Sequence, residues 1–152
     1  MSYEVMVESV ESQLLAAVRR TVRVGDVGRA WKPALDQVWT FLRATPEMRR
    51  GHNVFLYHHP QRRGDPMAVD FGVQVFEAFE PAGDVLCVET PSGIVARTVH
   101  RGPYDQLGAA HEAIQAWCTA HDRTIGSASW ETYGDTTDDP VQLETTISYL
   151  LA

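Results

Sequence analysis

The chain has 152 residues, 44% of them hydrophobic and 22% charged, a composition typical of a folded domain rather than a disordered segment. Thirteen basic and 20 acidic residues give a net charge of −7, with Lys32 as the only lysine, which disfavours direct binding to a nucleic-acid backbone. There is no apolar run near the ~20 residues of a membrane-spanning helix and no signal-peptide pattern, so we expect a soluble, cytoplasmic protein.

The hydrophobic pattern of the first half of the chain predicts two strands, a helix and two further strands. Apolar and polar residues alternate in the strands, as they do where one face of a sheet is buried. From Val27 to Leu42 apolar residues recur every three or four positions, which indicates one face of a helix, and Thr45-Pro46 ends it. The predicted elements are strands at 3–10 and 14–24, a helix at 27–44, and strands at 53–58 and 67–76.

The second half repeats this order. Its predicted elements are strands at 85–90 and 94–100, a helix at 105–121, and strands at 130–134 and 141–151. An offset of 78 positions carries Asn53 onto Glu131 and Phe55 onto Tyr133. The repetition predicts one domain built from two similar units, 1–80 and 84–152.

The fold class that follows is α+β, with a pseudo-two-fold duplicated β-β-α-β-β arrangement. We expect an antiparallel twisted sheet with both helices on one side, because one helix and four strands give neither half a large core of its own. Two related halves leave a central groove on their axis, and such grooves are common ligand sites.

Motifs of the second half resemble a known family. The stretch HRGPYDQLGAAHEAIQAW, the strand WETYGD, a loop containing Asp139-Pro140 and a final alternating strand are together similar to the gyrase-inhibitor-like (GyrI-like) small-molecule-binding domain. The resemblance is clearest over residues 85–152 and continues more weakly over 3–80. Domains of this family also form the effector-binding part of bacterial multidrug-responsive transcription activators.

The resemblance implies the duplicated fold and a central aromatic pocket with an acidic residue at its base, which aligns with Glu131. Family members bind hydrophobic, often cationic, aromatic drugs, and some relatives hydrolyse reactive cyclopropane-bearing compounds. Because the repeat occupies the whole of 1–152, we expect a stand-alone version without a separate DNA-reading unit.

The residues themselves also favour a site at Glu131. The period of two places Glu131 and Tyr133 on one face of their strand, and Asn53, Phe55 and Tyr57 share a face of another. If these strands are neighbours, a carboxylate and an amide meet three rings. A flat organic cation would pair with the carboxylate and gain about 0.5–2 kcal/mol from the rings. The alternative is that Glu131 is a solvated carboxylate or a salt-bridge partner.

Three further residues are candidates for the pocket. Trp31 has no aromatic mate in the repeat, so it either lines the groove or packs in the core. His111 lies on the apolar stripe of the second helix, as a hydrogen-bonded core residue or a pocket residue. Tyr149 belongs to the core or to the pocket wall. Tyr104, by contrast, is interpreted as a hydrophobic staple preceding an Asp105 helix cap.

No metal or cofactor site is predicted. His58 and His59 are adjacent strand residues that point to opposite faces, and neither has a nearby acid or cysteine at metal-ligand spacing. Phosphate-binding glycine loops are absent from the sequence. Cys87 and Cys118 are far apart in the sequence, and we expect both to be small buried residues that form no disulfide.

Three functions remain open. The first is a binding protein for small hydrophobic or cationic aromatic ligands. The second is a hydrolase of electrophilic cyclopropane-containing molecules, with Glu131 as general base and Tyr133 donating to a developing oxyanion. The third is an interaction with a protein partner such as a gyrase-like enzyme, for which the sequence shows no distinct patch.

Overall fold

The computed structural model describes residues 3–23, 25–135 and 137–152, which form two successive β-β-α-β-β units. The first unit consists of β1 (Met6–Val10), β2 (Leu14–Val22), α1 (Val27–Arg43), β3 (Arg50–His58) and β4 (Met67–Val75). The second consists of β5 (Val85–Glu89), β6 (Gly93–Arg101), α2 (Leu107–Ala120), β7 (Ile125–Tyr133) and β8 (Glu144–Leu151). The α+β fold predicted from the sequence is confirmed.

Several predicted boundaries are corrected. Strand β7 begins at Ile125 rather than 130, because pairing with two neighbouring strands extends it through small residues that carry little strand signal alone. Helix α2 begins at Leu107, after a 3₁₀ turn at Tyr104–Gln106, so Asp105 does not cap it. Strand β8 begins at Glu144, after a 3₁₀ turn at Pro140–Gln142.

The first helix and the first strands differ from expectation more modestly. Asp26 occupies the N-cap of α1, but its side chain makes no capping hydrogen bond. Strand β1 starts at Met6 rather than at 3. Val24, assigned by its pattern to the end of the second strand, lies outside the described residues.

The eight strands form one antiparallel sheet in the order β1-β6-β8-β7-β3-β4-β2-β5. The first strand of each unit pairs with the second strand of the other unit, since β1 joins β6 and β5 joins β2. The two units are therefore interlocked at both edges as well as joined through β3 and β7 at the centre.

The short connection from β1 to β2 requires the sheet to curl. Val10 and Leu14 are separated by three residues, so their Cα atoms lie within about 15 Å. In a flat sheet, six strand spacings would hold β1 and β2 about 29 Å apart. Curling encloses an apolar cluster on the face away from the helices, comprising Leu15, Ala17, Val54, Leu56, Val95, Ala128 and Trp130.

The helices cover the opposite face, each over its own unit. Helix α1 buries Ala34, Leu35, Val38 and Leu42 among residues of β2 and β4. Helix α2 buries its own stripe against β6 and β8. The central strands β3 and β7 are left as the floor of a groove between the helices.

The helix burial patterns correct the residue equivalence between the units. Ala34, Val38 and Leu42 of α1 match Ala110, Ile114 and Cys118 of α2, an offset of 76 rather than 78. The same offset carries Phe55 onto Glu131, and these two residues face each other in the β3–β7 ladder, as expected for equivalent residues beside a two-fold axis. It also carries Tyr57 onto Tyr133.

The described part of the chain holds neither a disulfide nor a membrane-spanning helix. Cys87 is half-buried and Cys118 is buried, and both are free thiols. Neither α1 nor α2 is long and apolar enough to cross a bilayer.

A buried ion pair ties β2, β3 and β4 together on the face away from the helices. The Asp70 side chain is fully buried and accepts hydrogen bonds from Arg19 at 2.7 and 3.0 Å and from His58 Nε2 at 2.7 Å. Burial disfavours the charged carboxylate, but the hydrogen bonds from His58 and Arg19 and the Arg19 charge outweigh it and hold the pKa of Asp70 below its ordinary value.

We expect Asp70→Asn to lower the free energy of unfolding by about 2 kcal/mol at pH 7, because it leaves Arg19 without its charged partner. A carboxylate with a lowered pKa stabilises the fold above its unfolded pKa, and this contribution is lost as the pH falls through the folded value. The difference between the proteins should therefore shrink on acidification. Urea denaturation at several pH values measures it, and Asp84→Asn, at the exposed Arg20–Asp84 pair, serves as a control with little effect.

Candidate functional site

The groove between α1 and α2 is lined by the residues predicted to form a ligand site, and it has two lobes that meet over β3 and β7. The first lobe is a cavity of about 580 Å³. The second, about 940 Å³, extends towards the ends of β3 and β8. Both lobes reach three shared polar side chains, those of Tyr57, His111 and Glu131.

The alternation of side chains along β3 and β7 determines which residues point into the groove. In β7, Trp130 packs into the apolar cluster of the curled face, so its neighbours Glu131 and Ser129 point into the groove. In β3, Val54 and Leu56 fill that same cluster, which turns Phe55 towards the helices. The grouping of acidic, amide and aromatic side chains expected from the two patterns therefore follows from the sheet register.

Glu131 lies at the meeting point of the lobes and is only 5% exposed. Its Oε1 accepts hydrogen bonds from the hydroxyls of Tyr57 at 2.5 Å and Tyr133 at 2.6 Å. Its Oε2 accepts one from His111 Nε2 at 2.7 Å. Donors from β3, β7 and α2 thus converge on one carboxylate.

A second layer of hydrogen bonds orients His111. Because a carboxylate only accepts, Nε2 carries a proton, and in the neutral imidazole Nδ1 then accepts from the Tyr149 hydroxyl at 2.7 Å. The Tyr149 oxygen in turn accepts from Gln115 Nε2 at 3.2 Å. The ring of His111 is held from both sides.

Burial and hydrogen bonding act oppositely on the Glu131 carboxyl. Burial disfavours its charged form, but the hydrogen bonds from His111, Tyr133 and Tyr57, together with the positive charge that His111 carries when it is protonated, outweigh it and hold the pKa of Glu131 below its ordinary value. Burial and the negative charge of Glu131 raise the pKa of Tyr57 and of Tyr133, so both phenols stay protonated donors.

Aromatic rings form the wall above the carboxylate in the first lobe. The Phe55 ring lies edge-on to Tyr133 at 4.9 Å and is 6.2 Å from Trp31. Tyr104 packs edge-on against Tyr133 at 5.3 Å. Trp31 is 37% exposed and Tyr104 43%, so they stand at the mouth, whereas Phe55 is buried at the base.

The structure brings the eight predicted site residues to the groove. Tyr149 lines the second lobe. The other seven line the first lobe: Trp31, Asn53, Phe55, Tyr57, His111, Glu131 and Tyr133. The side-chain oxygen Oδ1 of Asn53 accepts a hydrogen bond from Trp39 Nε1 at 3.3 Å, so that oxygen is already engaged. The roles of these residues towards a ligand stay predictions.

Some residues that line the groove were not predicted as site residues from the sequence. Tyr104, interpreted as a staple, lines the first lobe because the turn before α2 presents it there. Ser129, Gln115 and His59 line the second lobe. Ser129 lies two residues before Glu131 on a strand, and Gln115 lies four residues after His111 on a helix. Each spacing places the residue on the same face as its neighbour, so the sequence could have indicated both.

Comparison with known proteins shows the fold. Neither a family model nor a curated protein matches the chain. The EcmrR C-terminal domain superposes with a TM-score of 0.81 at 19% identity, over 100% of this chain and 99% of that one. The chain has the fold of that domain. The fold expected from the GyrI-like resemblance is thereby confirmed.

Two other solved structures share the fold at lower identity. SAV2435 bound to tetraphenylphosphonium has a TM-score of 0.69 at 14% identity, over 100% and 94% of the two chains. A hydrolase encoded by lin2189 from Listeria innocua has 0.68 at 9%, over 99% and 93%. The EcmrR chain of a DNA complex is longer, and this chain spans 57% of it.

We expect Tyr133→Phe to raise the pKa of Glu131, because one donor to the carboxylate is lost while the burial penalty stays. Carboxyl-¹³C NMR titration of the protein measures it. Tyr104→Phe is the matched control, since Tyr104 packs on Tyr133 through its ring. An unchanged Glu131 titration in Tyr133→Phe would contradict the geometry.

Proposed function

We propose that the protein binds small, largely apolar aromatic molecules in the groove and favours those with a delocalised positive charge. The observation that carries this proposal is a charged carboxylate, almost fully buried, at the base of a wall of aromatic rings. A ligand that brings a positive charge without a strong hydration shell would complete this environment at little desolvation cost.

The hydrogen bonds of Glu131 indicate the kind of cation. Its oxygens already accept three bonds from the protein, so a ligand gains little by donating another. Recognition would rest on Coulomb attraction through a low-dielectric site and on contact with Trp31, Phe55 and Tyr104. Quaternary or phosphonium cations, which have no N–H groups, suit these terms better than primary amines.

The size of the groove and one structural neighbour support the proposal. A cavity of about 580 Å³ falls in the usual range for small-molecule sites. SAV2435, which shares the fold, was solved with tetraphenylphosphonium bound. We propose sequestration or sensing of such molecules as the role, without direct nucleic-acid contact by these residues, since a net charge of −7 repels phosphates.

A hydrolase is the second candidate, favoured by the fold shared with a Listeria innocua hydrolase and by the carboxylate in the groove. A general base works best with a pKa near the operating pH. The donors around Glu131 lower its pKa and occupy three of its roughly four lone-pair positions, which weakens it as a base. The electrostatics therefore favour binding over general-base hydrolysis.

We expect Glu131→Gln to weaken binding of tetraphenylphosphonium at least about tenfold, because the site loses its negative charge. Binding of triphenylphosphine oxide, an uncharged aromatic compound, should change much less. Isothermal titration calorimetry measures both. Glu112→Gln, which removes an exposed carboxylate from α2, is the matched control for net charge. Equal phosphonium affinity in Glu131→Gln and the unmodified protein would remove the carboxylate from the mechanism.

We also expect no multiple turnover of a cyclopropane-containing alkylator, because Glu131 is held as a weak base. Mass spectrometry of product at a hundredfold excess of substrate gives the measurement. Sustained product formation that Glu131→Gln abolishes would instead establish the hydrolase.

A further inference from the structure

The second lobe of the groove holds a serine and a histidine in direct contact. Ser129 Oγ lies 2.9 Å from His59 Nε2, and His59 Nδ1 lies 2.9 Å from the carbonyl oxygen of Gly126. Both side chains line the 940 Å³ lobe. The binding of aromatic cations described above uses neither contact.

The carbonyl of Gly126 determines the protonation pattern. A carbonyl oxygen only accepts, so His59 Nδ1 carries the proton. In the neutral ring, Nε2 is then the acceptor, and the Ser129 hydroxyl donates to it. A nucleophile, a base and a group that orients the base therefore stand in sequence, which is the arrangement of activated serines.

The surroundings keep His59 in its basic form. Burial lowers the pKa of His59 from its ordinary value near 6.5; the charges of His58 and His111 act in the same direction, and donation to Gly126 opposes them. The imidazole is therefore neutral at pH 7 and available to accept a proton.

We propose that Ser129 and His59 form a nucleophile–base pair for carboxylic esters of small aromatic or apolar alcohols. Ser129 Oγ would attack the ester carbonyl carbon while its proton passes to His59 Nε2. Collapse of the tetrahedral intermediate breaks the ester C–O bond, and the alcohol leaves with that proton. Water then attacks the acyl-serine, again losing a proton to His59, and the carboxylic acid is released as Ser129 regains its hydroxyl proton.

The wall around the pair supplies further parts for this chemistry. Gln115, which also lines the lobe, has a second side-chain N–H beside the one it donates to Tyr149, and this donor suits a developing oxyanion. Met67 and Ile125 offer apolar surface for the substituents of an ester. The lobe joins the first one at Tyr57 and Glu131, so an aromatic alcohol portion would extend towards the rings.

Covalent labelling of the unmodified protein tests the pair directly. An alkyl fluorophosphonate should form one adduct per chain, with fluoride leaving, and peptide mass spectrometry should place the adduct on Ser129. p-Nitrophenyl butyrate should give a burst of p-nitrophenolate of about one equivalent. The labelling rate should fall on acidification with a midpoint below pH 6.5, because protonated His59 cannot act as a base.

Variants separate the pair from other serines. Ser129→Ala should abolish the adduct, and His59→Gln should slow labelling at least about a hundredfold. Ser127→Ala, an exposed serine on the same face of β7, is the matched control with unchanged labelling.

Absence of an adduct on the unmodified protein, or an adduct elsewhere, would overturn the proposal without relying on a variant. Tetraphenylphosphonium binding, measured on the same preparation, separates the two proposals. Binding without an adduct rejects the serine pair alone, whereas an adduct without binding rejects the cation site alone.

Discussion

The groove is organised around one buried negative charge. A carboxylate as enclosed as that of Glu131 would ordinarily become neutral or face water. Here it keeps its charge because Tyr57, Tyr133 and His111 donate to it from two strands and a helix. The bond from His111 also ties α2 to β7, so the electrostatics of the site and the position of the helix depend on each other.

The duplicated architecture makes this convergence possible. Two units that exchange their first strands and meet along β3 and β7 place equivalent side chains on either side of an axis. Tyr57 and Tyr133 are such equivalents, and both donate to a single acceptor. The acceptor, Glu131, breaks the symmetry, because the equivalent position in the first unit is occupied by Phe55. One half thus supplies the charge, while rings of both halves supply the aromatic surface: Trp31 and Phe55 from the first, Tyr104 and Tyr133 from the second.

The two lobes of the groove lie over the same central strands, β3 and β7, but present different chemical groups. In the first, three donors already satisfy the Glu131 carboxylate and much of the remaining surface is aromatic, which favours binding without reaction. In the second, the neutral imidazole of His59 and the hydroxyl of Ser129 remain paired in a form that can exchange a proton. Glu131 stands between them, and its lowered pKa makes it a charge rather than a base.

The sequence by itself determined the fold class, the repeated order of elements and the face on which Glu131 and Phe55 lie, because a period of two and a helical stripe are local properties. Strand exchange, the curl of the sheet and the offset between the units were decided by pairing between distant segments. The donors to the carboxylate depended on the same tertiary contacts: His111 was a candidate from its stripe, but only the packing of α2 on β6 and β8, beside the groove, brought it to Glu131. The pairing of Ser129 with His59 likewise needed the β3–β7 register, which no local pattern specifies.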